Sequence, residues 1–123
     1  MPSYESIFIL KPDLKEEEIE KNLNKLKDVI INKGGIINRL EKWGKKRLAY
    51  QVKKQRMGNY IFIVLEGPPN LIPELEKNCK LNEDIIKYIT IKQERGDTFK
   101  VTFEDGKEDI EEKKLDIRQE RFL

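Results

Sequence analysis

The chain contains no histidine and a single cysteine, Cys79. The side chains that most often act as base and nucleophile near neutral pH are therefore almost absent. Cys79 falls on the apolar face of a predicted helix, where a thiol reads as a core residue. Carboxylates are abundant, as in Glu16-Glu17-Glu18 and Glu111-Glu112. They sit in solvated charge runs, whereas a general acid needs a buried, perturbed carboxyl. There is no glycine-rich phosphate loop, no Gly-x-Ser-x-Gly elbow and no Cys or carboxylate spacing typical of a metal site. The expectation is a chain that is not an enzyme and has no cofactor or metal. What it offers instead is positive charge. Lys42, Lys45, Lys46, Arg47, Lys53 and Lys54 follow one another with no acidic residue between them, and Trp43 and Tyr50 bracket the densest part. Such a run neutralises phosphates and releases their counterions. It reads equally well as a solvated edge strand whose lysines prevent edge-to-edge association.

The elements that must position this run follow from periodicity. Leu48, Tyr50 and Val52 repeat at period two, which predicts a strand with Arg47, Gln51 and Lys53 on its outer face. Extended, Trp43 to Tyr50 covers roughly 25 Å, enough for several phosphates. Upstream, residues 4–10 form a short β-branched and aromatic segment, apolar on both faces like a central strand. Asp13, with Glu16 three residues on, reads as a helix cap. Leu14, Ile19, Leu23, Leu26 and Ile30 then mark one helical face, and Gly34-Gly35 stops the helix. Residues 36–52 form the second strand, which Gly44 bends or bulges. Residues 53–58 look like a hairpin turn and residues 59–66 a third strand. After Gly67-Pro68-Pro69, Asn70 caps a second helix with Ile72, Leu75 and Cys79 on one face. Residues 85–92 form a fourth strand.

Strand, helix, strand, strand, helix, strand is the split βαβ, or ferredoxin-like, order of an α+β domain. Right-handed crossovers put both helices on one face of a four-stranded antiparallel sheet and leave the other face open. Acylphosphatases use this arrangement with an arginine and an asparagine at a phosphate loop, and no matching glycine-rich loop follows the first strand here.

The composition divides the chain. Of its 123 residues, 37% are hydrophobic and 39% charged, so the core is modest. Residues 94–123 hold seven basic and ten acidic side chains, a net −3, so the overall +2 leaves +5 on residues 1–93. A basic body suggests a polyanionic partner. Residues 1–93 read as an RNA- and protein-binding domain, and 94–123 as a charged extension that is disordered or ordered by a partner. Within it, residues 98–103 alternate like a strand, Asp105-Gly106 signals a turn, and residues 107–121 read as a weak helix or disorder. One cysteine rules out an intramolecular disulfide and suggests the cytoplasm. No basic-then-apolar leader and no long apolar run point to secretion or a membrane.

Arg56-Met57-Gly58-Asn59-Tyr60-Ile61-Phe62 faintly resembles the third strand of RNA-recognition motifs, whose aromatics stack bases. Tyr60 and Phe62 share one side of their strand and have three possible roles: stacking bases, lying under a protein partner, or filling the core. A more specific resemblance lies in Trp43-Gly44-Lys45-Lys46-Arg47-Leu48-Ala49-Tyr50, which resembles the signature of bacterial small-subunit ribosomal protein six. The resemblance extends from Tyr4-Glu5, through Pro12, Gly34-Gly35, Gly58, Tyr60 and Glu74-Leu75-Glu76, to Tyr88-Ile89-Thr90-Ile91-Lys92. It implies a structural constituent of the small ribosomal subunit in the cytoplasm. It also implies binding to the central domain of small-subunit ribosomal RNA together with ribosomal protein eighteen. By resemblance, Lys45, Lys46, Arg47, Tyr50 and Lys54 face the RNA, and charge alone adds Lys53 and Arg56. The second-strand edge and the segment after Lys92 would face the protein partner. The alternative is a non-ribosomal protein-interaction or RNA-binding module of ferredoxin-like fold, whose acidic tail docks on a basic partner.

Overall fold

In the computed structural model, the described residues are 1–93 together with the backbone of three short strands beyond them. Of the side chains, those of Ala49, Tyr50 and everything after Gln93 lie outside the described residues. The first strand, β1 (Ser3–Leu10), pairs antiparallel with both β3 (Gln55–Glu66) and β4 (Ile85–Gln93). The long β2 (Ile36–Val52) pairs antiparallel with the outer side of β3. The four strands therefore stand in the order β2-β3-β1-β4, as the split βαβ pattern requires.

Helix α1 (Glu16–Asn32) and helix α2 (Leu71–Leu81) cover one face. The expected stripe holds: Leu23, Leu26 and Ile30 are buried, and Leu14 and Ile19 pack partly buried against them. Leu71, Ile72, Leu75 and Cys79 of α2 complete this core against Tyr4, Phe8, Leu10, Ile61, Ile63 and Leu65 of the sheet. A polar link joins α1 to the segment after α2: Asn22 donates to the Asp84 carboxylate at 2.9 Å, and Asn82 donates to the side-chain amide oxygen of Asn22 at 2.7 Å. On the sheet, the buried hydroxyls of Ser6 and Thr90 lie 2.8 Å apart.

Several local expectations are corrected. The N-cap of α1 is Lys15 rather than Asp13, and the Glu18 carboxylate accepts from the Lys15 backbone N–H at 2.9 Å. A carboxylate at the third helical position binds an orphan N–H whatever residue precedes the helix, so the cap moved to Glu18. Asn70 stands at the N-cap of α2 but makes no side-chain cap bond, because its backbone is already helical (φ −73°, ψ −9°). The hairpin turn is far tighter than the six-residue loop read from the sequence. Val52 pairs with Gln55, and only Lys53 and Lys54 lie between the strands.

Beyond Gln93 the chain adds β5 (Phe99–Glu104), β6 (Lys107–Glu112) and β7 (Glu120–Phe122), giving the order β5-β6-β2-β3-β1-β4-β7. Residues 107–112 are thus a strand paired antiparallel with β5, where charge density had suggested weak helix or disorder. The connecting residues lie outside the described ones.

The second face of the sheet is not open. Ile7, Ile9, Leu48, Tyr60, Phe62 and Ile86 form a second buried cluster there, with Trp43, Val52 and Val64 packed against it. A segment such as Ile7-Phe8-Ile9-Leu10, apolar on both sides, is what a sheet buried on both faces demands.

Candidate nucleic-acid interface

The cationic run lies at the far end of the β2–β3 hairpin, and three local features place it there. First, the hairpin outruns the sheet. The last residue of β1, Leu10, pairs with Asn59 of β3. The β2–β3 pairing continues past that point through Lys46 with Gly58 and Arg47 with Met57, and resumes after a shift in register at Val52 with Gln55. Second, β2 is bent where Gly44 (φ +83°) interrupts the register between Lys42 and Gly44, the bulge its glycine predicts. Third, Gly58 lets the hairpin base lie directly on β1. A Cβ there would stand 2.3 Å from Cγ2 of Ile9 and 3.3 Å from the Leu10 carbonyl oxygen. The neighbouring Asn59 side chain donates to the Lys11 carbonyl at 2.7 Å and ties the base to the end of β1.

Along this hairpin Lys45, Arg47, Lys53, Lys54 and Arg56 are exposed and Lys46 is half-buried. Lys45 and Arg56 come together, lining a shallow depression of about 300 Å³ with Pro12, Asp13, Gln55 and Met57. Lys53 and Lys54 form the turn itself, at φ 49° and 66°. Among the described residues, none of Lys45, Arg47, Lys53, Lys54 and Arg56 has an ion-pair partner. The side chain of Tyr50 lies outside the described residues. Leu48 is buried while Arg47 and Gln51 are exposed, the alternation expected of this strand.

The other members of the basic and aromatic set serve the fold. Lys42 bridges α1 and β2, reaching Glu16 at 2.7 Å and also Glu20. These carboxylates push its ammonium up to about 12, and the hydrogen bond from Lys42 holds the Glu20 carboxyl below its ordinary range. Trp43 lies over the second cluster, its ring 5.1 Å from that of Phe62 with planes 15° apart, and 6.5 Å from that of Tyr60. Its indole N–H donates to Glu41 at 2.9 Å. The hydrogen bonds from Trp43, then Arg39, lower the Glu41 carboxyl. Tyr60 and Phe62 are buried beneath. Of the three roles open to them, they fill the core, and their rings have no face for a base.

Gly58 and Asn59 are the positions that sequence reasoning underrated. The signals were the family resemblance, which includes Gly58, and a glycine shortly after a basic turn; the close neighbour it accommodates, Ile9, is distant in sequence. Among the described residues no group of His, Cys, Asp and Glu is arranged to hold a metal ion. No helix there is long and apolar enough to cross a membrane. Cys79 is buried, and desolvation, reinforced by Glu76, pushes its thiol well above the ordinary range. It is a packing residue and not a nucleophile.

The described residues thus form a split βαβ domain whose projecting hairpin carries cations with no ion-pair partner among those residues, and whose thiol is sealed in the core. The sequence model of ribosomal protein S6 matches residues 3–92. The small ribosomal subunit protein bS6 of Helicobacter hepaticus is 46% identical over 94 residues, covering 76% of this chain and 69% of the relative. That of Clostridium kluyveri is 40% identical over 95 residues, covering 77% of this chain and 100% of the relative. The crystal structure of 30S ribosomal protein S6 from Thermotoga maritima superposes with a TM-score of 0.72 at 31% identity. It covers 75% of this chain and 87% of that one. The chain belongs to the ribosomal protein S6 family, and is a structural, non-enzymatic protein of the small ribosomal subunit in the bacterial cytoplasm.

Proposed function

We propose that residues 1–93 bind the central domain of small-subunit ribosomal RNA, jointly with ribosomal protein eighteen of that subunit, through the cationic end of the β2–β3 hairpin. The observation that carries this reading is the hairpin itself. It projects past β1 and presents Lys45, Arg47, Lys53, Lys54 and Arg56 with no ion-pair partner among the described residues. Lys46 and Tyr50 lie on the same strand segment and complete the proposed RNA side.

Lysine and arginine contacts to phosphate position a protein without reading sequence. Specificity then comes from RNA shape and from a surface shared with the protein partner, for which the edge of β2 and the segment after Lys92 are the proposed sites. If about four of these side chains reach phosphate, log affinity falls with log salt at a slope near −3, at roughly 0.7–0.9 per contact. The test is titration of a central-domain RNA fragment across a salt series, with and without the partner. The expected result is weak binding alone, strong binding as a pair, and that slope. Equal affinity in the two arms refutes the shared surface, and a flat salt dependence refutes the phosphate contacts.

A further inference from the structure

The depression beside the hairpin, about 300 Å³, gathers unlike groups in a small space. Pro12 and Met57 give it an apolar lining, and Met57 is 38% exposed. Gln55 and Met57 fall in the alternation of Ile61 and Ile63, the β3 residues beneath the helices, so this side of the hairpin continues the helix-side face. Four polar side chains share the lining: Asp13, Lys45, Gln55 and Arg56. Among the described residues none of the four has a side-chain hydrogen-bond or ion-pair partner. A carboxylate and two cations thus line one depression without pairing across it.

The fold does not need the Asp13 carboxylate, since the first turn of α1 is served by Glu18 at the Lys15 backbone. The place of Asp13 is fixed all the same. The Lys11 backbone N–H donates to the Asp84 carbonyl at 2.9 Å, and the Lys11 carbonyl accepts from Asn59 at 2.7 Å. Pro12 then restricts the backbone that leads to Asp13.

We propose that this depression holds one unstacked guanine of the bound RNA, a step that rests on the hairpin being the RNA side. Position comes first. Lys45 and Arg56 belong to the cationic hairpin, so a nucleotide whose phosphate lies on that hairpin has its base within reach. Size comes next. A volume of about 300 Å³ is at the lower end for a small-ligand site and suits one base rather than a duplex. Sequence-specific recognition of RNA works largely through such splayed-out bases.

The donor and acceptor pattern selects guanine. An ionised aspartate only accepts, through two oxygens. Guanine alone among the four bases carries two adjacent donors, N1–H and the 2-amino group, on its pairing edge. Adenine and cytosine set an acceptor beside their amino group, and uracil flanks its single donor with two acceptors. Each of these turns a lone pair toward the carboxylate. The remaining guanine acceptors, O6 and N7, are those that lysine and arginine take up. The base plane lies against the Met57 thioether and Pro12. An acidic peptide would satisfy the cations but bring Asp13 a second carboxylate and no donor. The phosphate contacts of the hairpin therefore set position, and this one contact reads sequence.

The test titrates the full chain at low salt with labelled single-stranded uridine pentamers that carry guanine, adenine or hypoxanthine at the centre, read by fluorescence anisotropy. Guanine is expected to bind about fivefold or more tightly than adenine, and hypoxanthine, which lacks the 2-amino donor, to lose most of that preference. Guanine-dependent amide shifts should concentrate at Asp13, Gln55 and Met57. Asp13→Asn, at an exposed position that does not cap α1, should keep its Tm and bring the guanine and adenine pentamers within about twofold of each other. Lys45→Ala should weaken both. Equal binding of guanine and adenine, with salt dependence retained, overturns the guanine site and leaves the phosphate contacts standing. A preference that survives Asp13→Asn, or whose shifts map elsewhere, also overturns it. Binding of neither pentamer, or binding without salt dependence, overturns the RNA reading of the hairpin as well.

Discussion

Replacing Gly58 by alanine drives a methyl group into the first strand, at the hinge of the cationic hairpin. The new Cβ would sit 2.3 Å from Cγ2 of Ile9, 3.3 Å from the Leu10 carbonyl oxygen and 3.7 Å from Cδ1 of Ile86. Ile9 cannot swing aside, because it is fully buried within the second cluster. The backbone oxygen of Leu10 is held in the sheet. The hairpin base must therefore lift or β1 must shift, and overpacking of this kind costs about 1–3 kcal/mol. We expect Gly58→Ala to lower the denaturant midpoint with an unchanged m-value, and Tm by about 4 °C per kcal/mol lost. The steric origin is tested by a double-mutant cycle. Ile9→Ala alone removes the clashing methyl at a cost of about 2–5 kcal/mol. Combined with Gly58→Ala, it should cost at least about 1 kcal/mol less than the sum of the two. A Gly58→Ala protein within about 0.5 kcal/mol of the parent, or strict additivity in the cycle, refutes the reasoning.

Three further outcomes are expected. Alanine at Lys45, Lys46 and Arg47 together reduces the magnitude of the salt slope of RNA binding by about 2–3 while leaving Tm nearly unchanged, checked by filter binding and calorimetry. The link between α1 and β2 is present over a defined pH window. Glu20 is lowered from the ordinary carboxylate value, so its contribution is complete above that value and is lost as pH falls through the lowered one. Lys42 is raised, so its contribution is complete below the ordinary lysine value and is lost as pH rises through about 12. Urea midpoints of Glu20→Gln should accordingly converge with those of the parent at acid pH and fall below them near neutrality. Replacing Lys53-Lys54 by Asn-Gly stabilises the hairpin by about 1–2 kcal/mol, because both positions hold positive φ. It also weakens RNA binding, and a variant that gains in both measurements contradicts the role given to the turn.

Most of the fold was legible because its signals are local. The spacing of Leu23, Leu26 and Ile30 is a helical face wherever the helix packs, and Gly44 announces a bulge in any strand. What the sequence concealed depends on contacts distant along the chain. Lys42 looks like one more cation of the run, and only the placement of Glu16 and Glu20 across α1 shows that it is a structural tie. Tyr60 and Phe62 alternate like stacking residues, but the ring of Trp43 from the neighbouring strand lies over them. The two-sided apolar pattern of β1 and β3 is what a sheet buried on both faces demands, yet the order of elements alone implies an open second face, because Trp43 and Leu48, which pack on it, are distant in sequence from Ile7 and Ile9.

The turn shows how the fold and the proposed site bear on each other. A two-residue hairpin with both central residues at positive φ is most stable with asparagine and glycine, and the pairing of Val52 with Gln55 leaves no room for a longer loop. This chain instead places two lysines there, at φ 49° and 66°. Backbone strain of that kind persists only where the surrounding structure holds it. Here the ladder from Ile36–Glu66 to Arg47–Met57, seated on β1 at Gly58, and the Val52–Gln55 pair beyond a shift in register do so. A local cost accepted at the outermost point of a projecting hairpin, for charge and not for packing, is what a phosphate-binding tip would require. The same lysines on a solvated edge strand that only resisted association would gain nothing from sitting in the turn, since any strand position with a shorter reach would serve.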